Sequence, residues 1–333
     1  MRRVSRQREL GRGERVLAGL WRLRLPLPWP GVPHGNAWAI AAGSGIVLVD
    51  TGMHQPGSLA QLERALDQVN LRLDQVSLVV CTHAHSDHWG QAAPICERAR
   101  CELWMHPNHE HATRNADDPD AAVTRRIEVA RQSGVPEDAL QRYADRVSGL
   151  PSGIARVVAP DRALVPGVEI ETDLGAWSVH ETPGHAPSHV CLFQRERRLL
   201  ISGDHVLGRI SLYYDYGWTP DPVGEFLASL DVVDRLDARL ALSGHGRPFV
   251  DVHGHIEGNR ALVGERLNAV LAELAAGPRT ALDISPGVYG EPLTQYNGAW
   301  LLSQTLCYLH HHESHGRVTR EPDGGLERWR LAA

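Results

Sequence analysis

The apolar run Val76 to Cys81 leads directly into Thr82-His83-Ala84-His85-Ser86-Asp87-His88. A buried strand that ends at once in three imidazoles and a carboxylate must deliver them to a surface where they meet something other than a core. Packing does not account for such a turn. Imidazole and carboxylate suit zinc and its first-row neighbours, and a set without cysteine leaves a coordination position open, unlike a closed structural zinc site. Three later residues sit in the same local context. His185 follows Thr182-Pro183-Gly184, Asp204 follows Ser202-Gly203, and His245 follows Ser243-Gly244. Each lies just past a short predicted strand, beside a glycine that permits a tight turn. With 19 histidines in the chain, one such match carries little weight; the ordered set carries much.

Periodicity organises the rest. Alternation predicts strands over Trp21 to Leu27, Ala37 to Ala41 and Ile46 to Val49, the last ending in Asp50-Thr51-Gly52. Helical spacing marks Leu59 to Val69 and Gln91 to Arg100, with Glu102 to Met105 a further strand. Residues 106–149 are polar and helix-prone, and an insertion of that size between strands reads as a lid or substrate-facing cap. Within it, His106, His109 and His111 read as solvated residues. Short strands return at Trp177 to Glu181, Val190 to Gln194, Leu199 to Ser202 and Leu240 to Leu242, with a helix over Phe226 to Leu236. From residue 252 three helices and two terminal strands predict a winged-helix-like module. The run His310-His311-His312 reads there as an exposed helix end. Three segments result: an Arg-rich frayed tail over 1–19, a catalytic domain over 20–251, and the module over 252–333.

Composition narrows the function classes. All 34 basic residues are arginine, which excludes Schiff-base chemistry, a pyridoxal phosphate anchor and a P-loop lysine. A net charge of −6 argues against a dedicated nucleic-acid binder. Five cysteines without a C-x-x-C pair argue against a disulfide framework and for a reducing cytoplasm. No apolar stretch reaches the roughly 18 residues of a membrane span, and no hydrophobic signal-peptide region follows the first residues.

The H-x-H-x-D-H turn, the later T-P-G-H, S-G-D and S-G-H-G pieces and the early D-T-G resemble, in content and order, the metallo-β-lactamase superfamily. The resemblance spans Leu20 to Phe249. It implies a mixed α/β, four-layer αββα sandwich with a site for two divalent metal ions, zinc in the first place, with Mn²⁺ or Fe²⁺ as substitutes. On that resemblance His83, His85 and His185 bind one ion, Asp87, His88 and His245 the other, and Asp204 bridges them. Two ions about 3.5–4 Å apart share a hydroxide whose parent water has a pKa near 7. Asp87 doubles as proton acceptor for the attacking water. Asp50 and His189, with Asn36, are cast as residues that orient ligands. Of Tyr213, Tyr214 and Tyr216, Tyr213 is the candidate to offer a phenol to the oxyanion.

Departures from sister groups narrow the reading. A diiron flavoprotein reductase carries Glu where His85 stands, and true β-lactamases lack a bridging Asp at the position of Asp204. The expectation is a cytoplasmic hydrolase opening an ester-like bond (thioester, lactone or carboxylic ester) in a small molecule. The alternative is an endoribonuclease or phosphodiesterase similar to the β-lactamase-like protein 2 group, whose C-terminal extension this module resembles. A non-enzymatic sensor with a degenerate site is a third class, which the intact ligand set opposes. Over Val250 to Ala333 seven Arg face ten Asp and Glu, which suits packing or homodimer formation better than gripping phosphates.

Overall fold

A computed structural model of the protein describes residues 10–29 and 31–332. Along the chain, β1 (Arg12–Leu17), β2 (Leu20–Trp29), β3 (Val32–Ala42) and β4 (Gly45–Val49) form an antiparallel meander. The strand β1 corrects the expected frayed tail from residue 12 onward; residues 1–9 lie outside the described residues. After α1 (Ser58–Asp67) the chain enters β5 (Val76–Cys81), then α2 (Ser86–Trp89), α3 (Ala92–Ala99) and β6 (Glu102–Met105). The insertion folds as α4 (Glu110–Asp117), α5 (Pro119–Gln132) and α6 (Glu137–Val147), and β7 (Arg162–Ala163) follows it. Strands β4 to β7 pair in parallel, which completes a seven-stranded sheet in sequence order.

The second sheet contains β8 (Glu169–Ile170), β9 (Trp177–Glu181), β10 (Val190–Gln194), β11 (Leu199–Gly203) and, after α7 (Pro222–Asp234), β12 (Leu240–Ser243). Its last pair, β11 and β12, is parallel. Helices α8 (Val252–Leu274), α9 (Ala281–Tyr289) and α10 (Gly298–Ser314) and the hairpin β13 (Val318–Asp323) and β14 (Leu326–Leu331) close the chain.

Alternation along the strands divides the apolar residues into three cores. Leu23, Leu25, Leu48 and Val79 face α1 and α3. Leu20, Trp38, Val49 and Val80 meet Trp177, Leu192 and Ile201 between the sheets. Phe193 and Leu200 face Phe226 and Leu230 of α7, and the same core continues through Val263, Ile284, Leu306 and Trp329. This is an αββα sandwich whose last layer includes residues 252–333, which share that core with α7. The insertion joins this layer too: Leu282 donates its N–H to Ser133 O at 3.1 Å, and the Arg146 guanidinium bonds Gln295 O.

Parallel strands fix the direction of their carboxyl ends. The ends of β4, β5, β11 and β12 therefore open at one edge of the sandwich, where α/β proteins gather their sites. Backbone bonds tie the two sheets together there: Val190 N–H to Thr82 O at 2.8 Å, and Asn36 N–H to Gly244 O at 2.7 Å. Among the described residues no helix is long and apolar enough to cross a membrane.

Candidate metal centre

All seven predicted donors meet at that edge. The ligand atoms of His83, His85 and His185 lie within 4.8 Å of one another, as do those of Asp87, His88 and His245. His245 Nε2 stands 3.2 Å from Asp87 Oδ2. Asp204 sits between the groups, with Oδ1 3.4 Å from His88 Nε2, and Oδ2 3.2 Å from His245 Nε2 and 3.9 Å from His185 Nε2. Donors around a tetrahedral ion at about 2.1 Å stand roughly 3.4 Å apart, so these spacings suit shared cations.

Each of the five imidazoles is tied at one ring nitrogen and presents the other to the site. His88 Nδ1 is 2.8 Å from Asp50 Oδ2 and His83 Nδ1 is 3.0 Å from Thr82 Oγ1. His185 Nδ1 is 3.2 Å from Tyr213 O and His245 Nδ1 is 3.1 Å from His34 O. His85 is turned the other way, with Nε2 2.9 Å from Asp215 Oδ2 and Nδ1 toward the site. A proton on the tied nitrogen leaves a lone pair on the free one, which is how the surroundings of a metal ligand set its tautomer. His85 Nδ1 and His185 Nε2 stand 3.0 Å apart, close enough for one ion to take the free nitrogen of both rings. His83 Nε2, His88 Nε2 and Asp204 Oδ1 are buried without a hydrogen-bond partner among the described residues. Orphaned buried atoms are costly, and a divalent ion satisfies all three. The donor set fits the metal.

The electrostatics point the same way. Burial, then the neighbouring imidazoles, holds His83 well below the ordinary histidine range, and burial beside His85 lowers His185 to about 4, so both are neutral. Burial pushes Asp204 upward, but His245 and His88 outweigh it and keep the carboxylate ionised. Burial opposes the charged form of His245 as well, yet Asp204 and Asp87 raise it to about 10. Metal binding at this nitrogen displaces a proton.

The supporting residues have specific tasks. Asp50 lies in the left-handed region at φ 64°, costly for most residues but tolerated by Asp, and its carboxylate accepts from Thr82 N–H at 2.8 Å while holding His88. His189 Nε2 accepts the Asp204 N–H at 3.1 Å. Asn36 Nδ2 donates to Ser243 O at 2.8 Å and Gly246 O at 3.0 Å, which secures the loop of His245. Gly244 is required by space, since a Cβ there would overlap Asp204 Oδ1 and come within 2.6 Å of His88 Cε1. Tyr213 sets its ring against His85 and His185, at centroid distances of 5.7 and 5.5 Å. Tyr214 is fully buried in the core, and Tyr216 pairs its hydroxyl with His310 at 3.3 Å.

Sequence reasoning missed Asp215 and misread His111. His111 is buried, not solvated: its Nδ1 is 2.8 Å from Asp215 Oδ2 and its Nε2 2.8 Å from Ser188 Oγ, which also accepts the Ala84 N–H at 3.0 Å. His106 is buried likewise, 3.0 Å from Glu181 Oε1. His311 and His312 are also buried, His311 against Asp221 at 2.9 Å, so the terminal histidine run is not an exposed helix end. The available signal for Asp215 was an acid among the aromatics Tyr213, Tyr214 and Tyr216, just downstream of Asp204.

This fold and this donor set define a metallo-hydrolase, and the chain belongs to the metallo-beta-lactamase superfamily, whose family model matches residues 30–245. A solved metallo-beta-lactamase family protein from Thermus thermophilus is 27% identical with a TM-score of 0.79, covering 95% of this chain and 100% of its own. The probable metallo-hydrolase YqjP of Bacillus subtilis is 26% identical over 265 residues, 76% of this chain and 82% of that protein. A beta-lactamase-like protein 2 homolog from Caenorhabditis elegans is 24% identical and covers 82% of this chain and 78% of its own. Thioesterase pkgB of Emericella nidulans is 24% identical over 65% of this chain, which spans 47% of that protein.

Proposed function

We propose that the protein is a dinuclear, zinc-dependent hydrolase that opens an ester-like bond, a thioester, lactone or carboxylic ester, in a small molecule. The observation that carries this reading is the convergence of seven donors, three of whose buried atoms lack a hydrogen-bond partner among the described residues. His83, His85 and His185 would hold one ion, Asp87, His88 and His245 the second, and Asp204 both. Bound there, two divalent ions supply Lewis acidity and lower the pKa of water to about 7. Mn²⁺ and Fe²⁺ suit the same donors.

The chain's own residues do the rest. Asp87, kept ionised by His88 and His245, is the carboxylate placed to accept a proton from an attacking water. Asp50, Asp215 and the Tyr213 carbonyl keep the imidazoles aimed. The Tyr213 phenol, neutral at physiological pH, stands beside His85 and His185 to donate to a developing oxyanion. A small-molecule substrate is favoured over nucleic acid by the acidic excess of residues 250–333. We assign the protein to the cytoplasm and its C-terminal layer to a homodimer contact.

A panel of p-nitrophenyl esters, thioesters, lactones and bis-p-nitrophenyl phosphate, assayed with Zn²⁺ or Mn²⁺, tests the reading. Carbonyl substrates are expected to turn over, and the activity to vanish in Asp87→Ala. Cleavage of single-stranded RNA that is lost in the same variant, with esters untouched, would replace this reading with a nuclease.

A further inference from the structure

His310, His311, His312 and His315 crowd the end of α10. Two of them are engaged inside the fold. His310 Nδ1 is 3.2 Å from Glu313 Oε2 and its Nε2 is 3.3 Å from the Tyr216 hydroxyl, while His312 Nε2 is 2.9 Å from Leu267 O. His311 and His315 behave differently. Four residues apart, they share one helix face, with ring centroids 4.3 Å apart. His311 Nδ1 lies 2.9 and 3.1 Å from the two Asp221 carboxylate oxygens, and His315 Nδ1 lies 2.7 Å from the His311 carbonyl. Carboxylate and carbonyl oxygens only accept, so both Nδ1 atoms carry the proton. Both Nε2 atoms are then left with a lone pair, and neither has a protein partner among the described residues.

Asp221 serves this pair as a support. It caps α7, where Oδ1 accepts the Gly224 N–H at 2.9 Å, and Ser314 Oγ donates to Oδ2 at 3.4 Å. Burial raises its carboxyl, but the bonds from His311 and Gly224 outweigh burial and hold it below the ordinary aspartate range. One imidazole is thus backed by an ionised carboxylate and the other by a backbone carbonyl, which are the supports that metal-bound histidines take. The metal centre repeats both arrangements, with Asp50 behind His88 and the His34 carbonyl behind His245. One ligand-type atom from each of Asp221, His311 and His315 lies within 4.8 Å of the other two.

We propose that His311 and His315 bind a further divalent first-row metal ion through their Nε2 atoms, with Asp221 orienting His311 and water completing the coordination. The site shares no residue with the strand-end centre and does not depend on the reaction performed there. It has two protein donors against the centre's seven, so this ion is the last to load and the first to leave. Imidazole selects Zn²⁺, Co²⁺, Ni²⁺ or Cu²⁺ over Mg²⁺ and Ca²⁺, which take oxygen ligands. An ion on Nε2 polarises the His311 Nδ1–H toward Asp221 and so tightens the contact between the end of α10 and the start of α7.

The test uses the metal-loaded full chain, dialysed against graded Zn²⁺ with and without Mg²⁺, with bound zinc measured by elemental analysis. Wild type is expected to hold one ion more per chain than His315→Ala, and Mg²⁺ should not displace it. His315 is exposed, so its replacement spares the fold. Asp221→Asn keeps a side chain that can cap α7 and should weaken the additional ion roughly 10–100-fold. Zinc should also raise the melting temperature of wild type more than that of His315→Ala, by a margin that grows with zinc concentration. Equal uptake by wild type and His315→Ala, or an additional ion as tight in Asp221→Asn as in wild type, would overturn the proposal. Displacement by Mg²⁺ would overturn the imidazole assignment. A centre that holds one ion instead of two lowers both totals alike and leaves the difference of one intact, so the two readings fail separately.

Discussion

His88 and His85 stand three residues apart on one turn and are held by opposite means. His88 is braced from within the first sheet by Asp50 at the end of β4, fully buried, at 2.8 Å. His85 is braced by Asp215 from the loop between β11 and α7, and Asp215 is braced by His111 from the insertion. One support uses a neighbouring parallel strand; the other joins three segments far apart in the chain and partly open to solvent. The difference teaches that one brace belongs to the fixed geometry of the sheet, whereas the other depends on packing between the insertion and the loop that carries Asp215.

The largest effect is expected at the residue common to both halves. Asp204→Ala should lower metal content and abolish turnover, read by elemental analysis beside the ester assay; full activity with one ion would contradict a shared site. Next comes the sheet-borne brace. Asp50→Asn keeps a residue that tolerates the left-handed backbone but removes the charge behind His88, and should weaken metal affinity by roughly 10–100-fold. Asp215→Asn should cost less, near the lower end of that range of about 10-fold, because water reaches its side chain. A larger loss for Asp215→Asn than for Asp50→Asn would invert the comparison. His111→Gln should be milder still, about 1 kcal/mol of support at most, visible as a shift in substrate preference with metal content retained.

How much of this was legible follows from the same contrast. The seven donors and Asp50 could be read because each falls at a strand end beside glycine or in a dense turn, and strand ends are marked by local alternation. Asp215 and His111 could not, because their burial is created by packing between segments. His111 lies in α4, a helix of mostly polar residues (Glu110, Arg114, Asn115, Asp117), so nothing local signals that its ring is buried. The frayed tail failed for a related reason: none of the residues Arg12 to Leu17 is fully buried, and pairing with β2 makes them a strand. Within 252–333 the elements followed periodicity, but the apolar faces of three helices do not say which sheet they will cover.

The smallest predicted effect concerns acid. His205, by burial, is lowered to about 3, and His34, by burial and then the arginines beside it, to about 4, against about 6.5 unfolded. Below pH 6.5 the unfolded chain takes up protons that these two folded imidazoles refuse, so their contribution to stability falls as pH drops toward 4 and is constant above 6.5. In metal-free protein, urea midpoints across this window should show that slope, and His34→Gln should flatten it; an unchanged slope would place the acid sensitivity elsewhere.

The most direct test of the account is a zinc-edge anomalous difference map from crystals of the zinc-loaded protein. Two peaks are predicted, one within about 2.1 Å of His83, His85 and His185, the other equally near Asp87, His88 and His245, with Asp204 touching both. A single peak, or peaks away from Asp204, would contradict the shared two-ion centre.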